Sequence, residues 1–184
     1  MQRRFRIAST AAVLSLLSAG ADARTGETSL PVPQHLFGAQ SLDSGDSATT
    51  ILAARRYAAF WNSGDADMAR LALAPDFTDH TLPAGRPQGV QGLLQASATF
   101  LAAVPDLKVE ISDMLVAGDR VTLRLHFTGH FSGKFGEHSG KGQAIDFQAF
   151  DFYKIRDGRI SDNWHLEDNL HLLQQMGVMT GAKP

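Results

Sequence analysis

The chain has 184 residues, of which 43% are hydrophobic and 20% charged, a composition typical of one globular domain. Its formal net charge is −2 and it carries no basic stripe, so a nucleic acid is excluded as the expected partner. The absence of cysteine excludes thiol catalysis, thiolate metal sites and disulfides, and the hydrophobic core has to stabilise the fold alone.

The first 23 residues have the pattern of a secretory signal peptide. Three arginines in residues 3–6 give a positive start, residues 7–17 form a short apolar run, and Ala21-Asp22-Ala23 supplies the small residues of a cleavage site. The run is shorter than the roughly 20 residues that span a membrane, so an anchor is the weaker alternative. We therefore expect a periplasmic or secreted protein with no membrane attachment after cleavage. Cleavage removes three of 17 Lys and Arg and one of 19 Asp and Glu, leaving 14 against 18.

The first half of the mature chain is predicted to be mainly helical. Residues 24–47 are rich in Gly, Ser, Pro and Asp without periodicity, which indicates a flexible arm or linker. We expect the folded domain to span residues 48–179 and residues 180–184 to form a tail. Helical spacing predicts a first helix capped by Asp46 or Ser47, a short second helix capped by Asp65, and a third that ends before Pro105.

The second half is predicted to be mainly strands. A short strand over residues 76–81 precedes the third helix, and from residue 107 the apolar period becomes that of strands. Residues 107–116 and 120–130 form one hairpin, and a second folds about Asp157-Gly158 before a closing helix near residues 168–176. This order predicts an α+β fold: a curved antiparallel sheet wrapped around the N-terminal helices, enclosing a cone-shaped cavity.

The sequence of the second hairpin is compatible with two turn lengths. A two-residue loop pairs Ile155 with Ile160. A three-residue loop with a glycine bulge pairs Ile155 with Arg159, and this is the closure that we favour. It places Asp151 opposite Asn163.

The favoured closure sorts the hairpin into a polar and an apolar face. A carboxylate, a phenol, an amide and an imidazole share one face: Asp151, Tyr153, Asn163 and His165. The other face carries Phe150, Phe152, Ile160 and Trp164. The polar face is the candidate lining of the cavity. The apolar face then points outward, which predicts a homodimer packed sheet against sheet.

Several segments of the chain resemble one protein family. They are Phe-Trp-Asn-Ser-Gly-Asp at 60–65, Pro-Asp-Phe-Thr-Asp-His at 75–80, Ile-Arg-Asp-Gly-Arg-Ile at 155–160 and Leu-Gln-Gln-Met-Gly at 173–177. Their order and gaps are similar to those of the SnoaL-like polyketide cyclases, over about residues 48–179. That family belongs to the nuclear-transport-factor-like (cystatin-like) α+β barrels, so the resemblance implies the same cone-shaped fold. The fold hosts isomerases, dehydratases, epoxide hydrolases, cyclases and binding modules.

The resemblance also implies a reaction and its residues. The family's cyclases close a ring by intramolecular aldol condensation without a metal or organic cofactor. Carried over by position, the principal acid/base falls on His165, its strand partner on Asp151, and further polar positions on Asn163 and Asp79. The pair is exchanged here: an imidazole stands where the characterised cyclases have a carboxylate, and a carboxylate where they have an imidazole.

The residues themselves allow such chemistry. Proton abstraction next to a carbonyl needs a base that ionises near neutral pH and a donor for the enolate oxygen. His165 has a suitable intrinsic pKa, and Asp151, diagonal to it, could orient the ring. Tyr153 or Asn163 could donate to the enolate. The alternative is that His165 and Asp151 are a satisfied polar pair that only fixes the strand register.

The remaining candidates for substrate binding are Trp61, Asp79, His80 and His126. Neighbouring strand residues point to opposite faces, so either Asp79 or His80 reaches the cavity, but not both. His126 and His130 could join His165 in a metal site, but their spacing resembles no metal motif. We therefore expect no metal and no cofactor.

Three functions remain open. The first is an exported cyclase, isomerase or lyase that acts by acid/base catalysis on a small apolar carbonyl compound, polyketide-like or an ester. The second is a binding module that keeps the cone as a ligand pocket without catalysis. The third is a hydrolase in which the His–Asp couple activates water. The glycine-rich residues 131–142 are either a lid over the cavity or a simple connection.

Overall fold

The computed structural model describes residues 30–38 and 44–179. The predicted signal peptide, the C-terminal tail and much of the predicted arm lie outside the described residues. Within the described ranges, no helix has the length and hydropathy to cross a membrane.

The described residues form four helices, six strands of one sheet and one small separate hairpin. The helices are α1 (Ser44–Ser63), α2 (Ala66–Ala72), α3 (Gly89–Ala103) and α4 (Asn169–Gln175). The sheet strands are β1 (His35–Gly38), β2 (Leu73–Asp79), β3 (Lys108–Ala117), β4 (Arg120–Phe131), β7 (Gln143–Arg156) and β8 (Arg159–Glu167). The small hairpin pairs β5 (Lys134–Phe135) with β6 (His138–Ser139).

The strand order in the sheet is β1-β3-β4-β7-β8-β2. The four central strands pair antiparallel, as predicted, and α1 packs across β3, β4 and β8. The two edge strands pair parallel to their neighbours, and neither pairing was predicted. The α+β fold with a curved sheet over N-terminal helices is therefore confirmed.

Local sequence signals set the helix ends. The Asp65 side chain accepts a hydrogen bond from the Asp67 backbone N–H and caps α2, as expected. The helix α3 begins after Gln88, whose side chain accepts from the Gly89 N–H, and it ends two residues before Pro105. The first helix begins at Ser44, earlier than the predicted cap.

Part of the predicted arm is ordered against the domain. Residues 35–38 form β1 at the edge of the sheet, and the guanidinium of Arg55 donates to the carbonyls of Leu30 and Pro31 at 3.1 and 2.8 Å. Leu30 is buried. Residues 35–38 of this segment are therefore an edge strand of the sheet and residues 44–47 begin α1, although the polar composition indicated a linker.

The second hairpin closes differently from the favoured prediction. Asp157 and Gly158 have φ values of 52° and 69°, which match a two-residue turn with both central residues left-handed. Ile155 pairs with Ile160 across this turn. The three-residue loop that pairs Ile155 with Arg159 was wrong.

A register shift next to the turn changes the pairing further along the strands. It leaves Ser161 without a partner and so acts as a β-bulge. Beyond it Asp151 lies directly opposite His165, and Tyr153 opposite Asn163. Since the observed register differs from the favoured one by an even number of residues, the four polar residues still share the inner face.

The bulge also corrects one member of the predicted outer face. Ile160 precedes the bulge and is fully buried on the inner side with Ile155. The outer face keeps Phe150, Phe152 and Trp164, which are all exposed. The predicted apolar outer patch is thus present without Ile160.

Candidate functional site

A cavity of about 480 Å³ lies between the inner face of the sheet and the helices. Its volume is in the range of small-molecule sites. One wall is polar and is formed by Asp79, Thr81, Arg86, Asn163, His165 and Glu167. The rest is mainly apolar, and its large side chains are Trp61, Leu93, Phe100, Phe127, Phe135, Phe147 and Leu172. The cavity therefore suits a molecule with a polar end and an apolar body.

The central feature of the polar wall is a bonded pair on neighbouring strands. His165 Nδ1 lies 2.6 Å from Asp151 Oδ1. Asp151 is buried behind the ring and does not line the cavity, whereas the His165 side chain is 31% exposed. The carboxylate fixes Nδ1 as a donor, so a ligand in the cavity can interact with the ring only through the other nitrogen, Nε2.

Tyr153 supports Asp151 from the same strand. Its hydroxyl donates to Asp151 Oδ2 at 2.6 Å, and the ring is fully buried. Burial and the neighbouring carboxylate raise the pKa of Tyr153 well above its usual value, so the phenol keeps its proton. Tyr153 does not line the cavity, so its predicted contact with a substrate is replaced by a contact with Asp151.

His165 lies between two carboxylates, because Glu167 Oε2 is 3.4 Å from Nε2. Burial alone lowers the pKa of His165, but the charges and hydrogen bonds of Asp151 and Glu167 outweigh it and raise that pKa to about 10. Burial raises the pKa of Glu167, but the hydrogen bonds and charges of His165, Asn169 and Arg86 together outweigh it and lower that pKa. At neutral pH the site therefore holds an imidazolium, and His165 is poised as a proton donor rather than as a free base.

Asp79 faces the cavity, and its carboxylate is fully engaged. It pairs with Arg86, and its Oδ1 accepts from both the backbone N–H and the hydroxyl of Thr81 at 2.9 Å. The Thr81 hydroxyl in turn accepts from the His165 backbone N–H at 2.9 Å. Asp79 thus anchors the loop after β2 to the strand that carries His165.

Two polar atoms of the cavity residues have no partner. Among the buried side-chain atoms of the described chain, Asn163 Oδ1 and Arg86 Nε make no hydrogen bond. An unpaired buried polar atom costs about 1–3 kcal/mol, so both groups favour a ligand that supplies a partner.

Two predicted site residues face away from the cavity. His80 lies on the outer face, bonds Asp162 at 2.8 Å and stacks on Trp164 at a centroid distance of 4.3 Å. His126 lies outward on β4 and bonds Asp146 at 2.8 Å. Their predicted role in substrate binding is wrong, because the period of two in each strand directs their inward neighbours to the cavity.

His126, His130 and His165 do not lie together as the considered metal site would require. His126 is on the opposite face of the sheet from His165, and His130 is bound to Asp106 at 2.7 Å. Nowhere in residues 30–38 and 44–179 do three or more His, Asp or Glu side chains converge as metal ligands.

The two ends of the small hairpin in the glycine-rich segment 131–142 pack tightly on neighbouring backbone. Gly133 and Gly140 pack so tightly on neighbouring backbone that a Cβ would lie 1.8 Å from Ala102 O and 2.2 Å from Phe131 O. Gly140 N also donates to Gly133 O at 2.7 Å. The small hairpin carries Phe135 into the cavity wall, so it forms part of the lining.

Three titratable residues of the cavity lining were missed in the sequence. Glu167 follows His165 by two residues on the same strand, so strand alternation could have placed it on the same face. Arg86 lies in a turn, and Tyr57 lies on a helix face otherwise read as core; neither carries a local signal.

Comparison with known proteins places the chain among related folds. The family model for SnoaL-like polyketide cyclase matches residues 51–176. A candidate polyketide cyclase from Bacillus cereus ATCC 10987 is 40% identical, with 83% of this chain and 96% of that chain covered and a TM-score of 0.75. No curated protein sequence matches the chain.

More distant structures agree on the fold. IdmH, a candidate polyketide cyclase from Streptomyces antibioticus, is 28% identical, covers 72% of this chain and 98% of its own, and has a TM-score of 0.60. A protein with a ketosteroid isomerase-like fold from Catenulispora acidiphila DSM 44928 is 20% identical, with 72% and 97% covered and a TM-score of 0.55. The latter similarity shows the fold alone.

Proposed function

We infer the function of this chain from its family and its cavity: it belongs to the SnoaL-like polyketide cyclases. We propose that it is a cofactor-independent enzyme of the cyclase, isomerase or lyase type that acts on a small apolar carbonyl compound. The observation that carries the proposal is the His165–Asp151 pair, with Nδ1 bonded at 2.6 Å and the ring at the cavity wall.

The proposed chemistry is acid/base catalysis on an enolisable carbonyl. The protonated His165 donates from Nε2 to the carbonyl oxygen and stabilises the charge that develops there when a neighbouring C–H bond breaks. Asp151 is a positioning residue: it sets the ring orientation and keeps the ring charged. General acid/base help of this kind is worth about 10²–10⁴-fold in rate.

The cavity wall supports the proposed substrate class. Phe100, Phe127 and Phe147 line the apolar part, and the last two stack at a centroid distance of 4.9 Å. Such a surface favours an aromatic or otherwise apolar body. At the other end the unpaired Arg86 Nε–H suits an oxygen acceptor of the substrate, and the unpaired Asn163 Oδ1 suits a hydroxyl donor.

The experiment that tests the proposal measures hydrogen–deuterium exchange next to a carbonyl. The probes are 1-tetralone, acetophenone and ethyl benzoylacetate in D₂O, followed by NMR. We expect exchange above the buffer rate for at least one probe, and a loss of about 10²–10⁴-fold in His165→Gln and Asp151→Asn. No exchange above buffer for any probe would contradict the proposal.

A matched control is available on the outer face. His126 and Asp146 form a second His–Asp pair, at 2.8 Å, away from the cavity. His126→Gln and Asp146→Asn should exchange the probes at the wild-type rate. A binding module would show probe affinity with no exchange in the wild type, and that result would favour the non-catalytic alternative.

A further inference from the structure

Glu167 is the more exposed of the two carboxylates that line the cavity, although it contacts His165 and Asn169. Two carboxylates line the cavity among the described residues, Asp79 and Glu167. Asp79 is buried and held by Arg86 and Thr81. Asp151 lies behind the imidazole, outside the lining. Glu167, by contrast, is 30% exposed at its side chain.

Glu167 and His165 form a couple with a fixed spacing. They lie two residues apart on β8, so both side chains point inward from one strand. Their closest atoms, Oε2 and Nε2, are 3.4 Å apart, slightly longer than an ordinary N–H···O hydrogen bond. A carbonyl oxygen that approaches Nε2 can therefore compete with Glu167 for that proton. A substrate bound in this way can place the carbon next to its carbonyl beside the carboxylate.

We propose that Glu167 is a catalytic base that removes the proton from the carbon next to the substrate carbonyl while His165 donates to the carbonyl oxygen. This assignment rests on the proposed function and names the proton acceptor that it requires. It separates the two roles: the acid is the imidazole held by Asp151, and the base is the carboxylate beyond it.

The step balances in atoms and electrons. The C–H bond breaks, its proton passes to Glu167, and its electron pair forms the carbon–carbon double bond of the enol. The carbonyl π pair moves to oxygen, which takes the Nε2 proton of His165. When the enol reverts, both protons return. In D₂O the proton on Glu167 is first replaced by deuterium, which labels the carbon.

The surrounding charges keep the two groups in these states at neutral pH. The groups that face them are Asp151 and Tyr153 on β7, Asp79 and Arg86 around the end of β2, and Tyr57 on α1. Burial raises the pKa of Glu167, but His165, Asn169 and Arg86 together lower it, so that the carboxylate is ionised and able to accept a proton. An ionised carboxylate with an ordinary or modestly shifted pKa is an adequate base when its partner stabilises the enolate.

The test uses the exchange assay on Glu167→Gln, with Glu110→Gln as the matched control. Glu110 is a glutamate on the outer face that pairs with Lys108. We expect a loss of about 10²–10⁴-fold in exchange for Glu167→Gln with the affinity for 1-tetralone within about threefold of wild type, and no loss for Glu110→Gln. Wild-type exchange in Glu167→Gln, together with loss in His165→Gln, would overturn the role of Glu167 and leave the proposed function standing.

A second variant separates a base from a residue that only tunes His165. Glu167→Ala opens space for a small carboxylate, and added formate should restore exchange in proportion to its concentration. The ring ¹⁵N shifts of His165 should show an imidazolium at pH 7 in both Glu167 variants, because Asp151 remains in place. Failure of formate to restore exchange, or a neutral His165 in either variant, would overturn the assignment. Unchanged exchange in His165→Gln would instead defeat the proposed function itself.

Discussion

Asp151 and His165 lie directly opposite each other on neighbouring antiparallel strands, and their side chains meet at 2.6 Å between Oδ1 and Nδ1. The pairing depends on the bulge at Ser161, which sets the register of the whole polar face. It joins a buried carboxylate to an imidazole at the cavity wall. The contact between the two side chains therefore follows from one irregularity next to the hairpin turn.

The pair predicts how the stability of the protein depends on pH. The pKa of His165 is raised to about 10 in the folded chain, above its ordinary value of 6.5. Its stabilisation is therefore fully present below pH 6.5 and is lost as the pH rises from 6.5 through 10. Urea unfolding at pH 6, 8 and 10 should show the free energy of unfolding falling more steeply in the wild type than in Asp151→Asn. An equal dependence of the free energy of unfolding on pH in the two proteins would contradict a protonated His165 paired with Asp151.

The buried Asp79–Arg86 pair predicts a large effect of one aspartate and a small effect of its neighbour. Asp79→Ala leaves the Arg86 charge without its partner in a mostly buried position, which costs about 3–5 kcal/mol in such cases. Asp76→Ala breaks an exposed pair with Arg156, worth about 0–1 kcal/mol. Denaturant unfolding of both variants measures the difference. Equal losses would show that burial does not set the strength of the Asp79 contact.

The hairpin turn predicts a backbone cost at one glycine. Gly158 has φ of +69°, where a side chain costs about 1–2 kcal/mol. The Cβ of Gly158→Ala would meet Thr49 at 3.5 Å, an ordinary contact, so the cost is conformational. Gly118→Ala at the other hairpin, with φ of +59° and open space, should lose a similar amount. Thermal or denaturant unfolding checks both, and an unchanged free energy of unfolding for Gly158→Ala would argue against the left-handed turn.

The outer face predicts a homodimer packed sheet against sheet. Phe150, Phe152 and Trp164 are exposed together there, and a contiguous apolar patch usually marks a partner surface. We expect the wild type to have the mass of a dimer at micromolar concentration and Phe150→Glu to have that of a monomer. Light scattering with size exclusion measures both masses.

A control for this prediction lies on another surface. Leu71 on α2 is an exposed leucine away from the sheet. Leu71→Glu should keep the dimer mass. A monomeric wild type at micromolar concentration would contradict the predicted interface.

The sequence predicted faces better than it predicted register. Strand alternation has a period of two, so an even slip in pairing leaves every side chain on its face, and Asp151, Tyr153, Asn163 and His165 stayed together for that reason. Ile160 lies on the opposite face from the one predicted, because the extra residue of the bulge follows it and reverses the alternation of side chains. A bulge depends on contacts with the rest of the sheet and leaves little trace in local residue types.

The edge strands and some site residues were also missed or misplaced from the sequence. The parallel edge strands required knowledge of which distant strand each would meet, and composition marked the first of them as a linker. His80 and His126 were chosen by residue type, but alternation places them outside. Glu167 was within reach of the same rule, since it lies two residues from His165 on one strand.

The charge state of His165 is tested most directly by an NMR titration of its ring nitrogens in the wild type and in Asp151→Asn. We expect both ring nitrogens to carry protons at pH 8 in the wild type, with a pKa of about 10, because Asp151 and Glu167 stabilise the charged ring. We expect a lower pKa of His165 in Asp151→Asn. A wild-type His165 that titrates near pH 6.5 and does not respond to Asp151→Asn would contradict the claim that this pair supplies the proton donor.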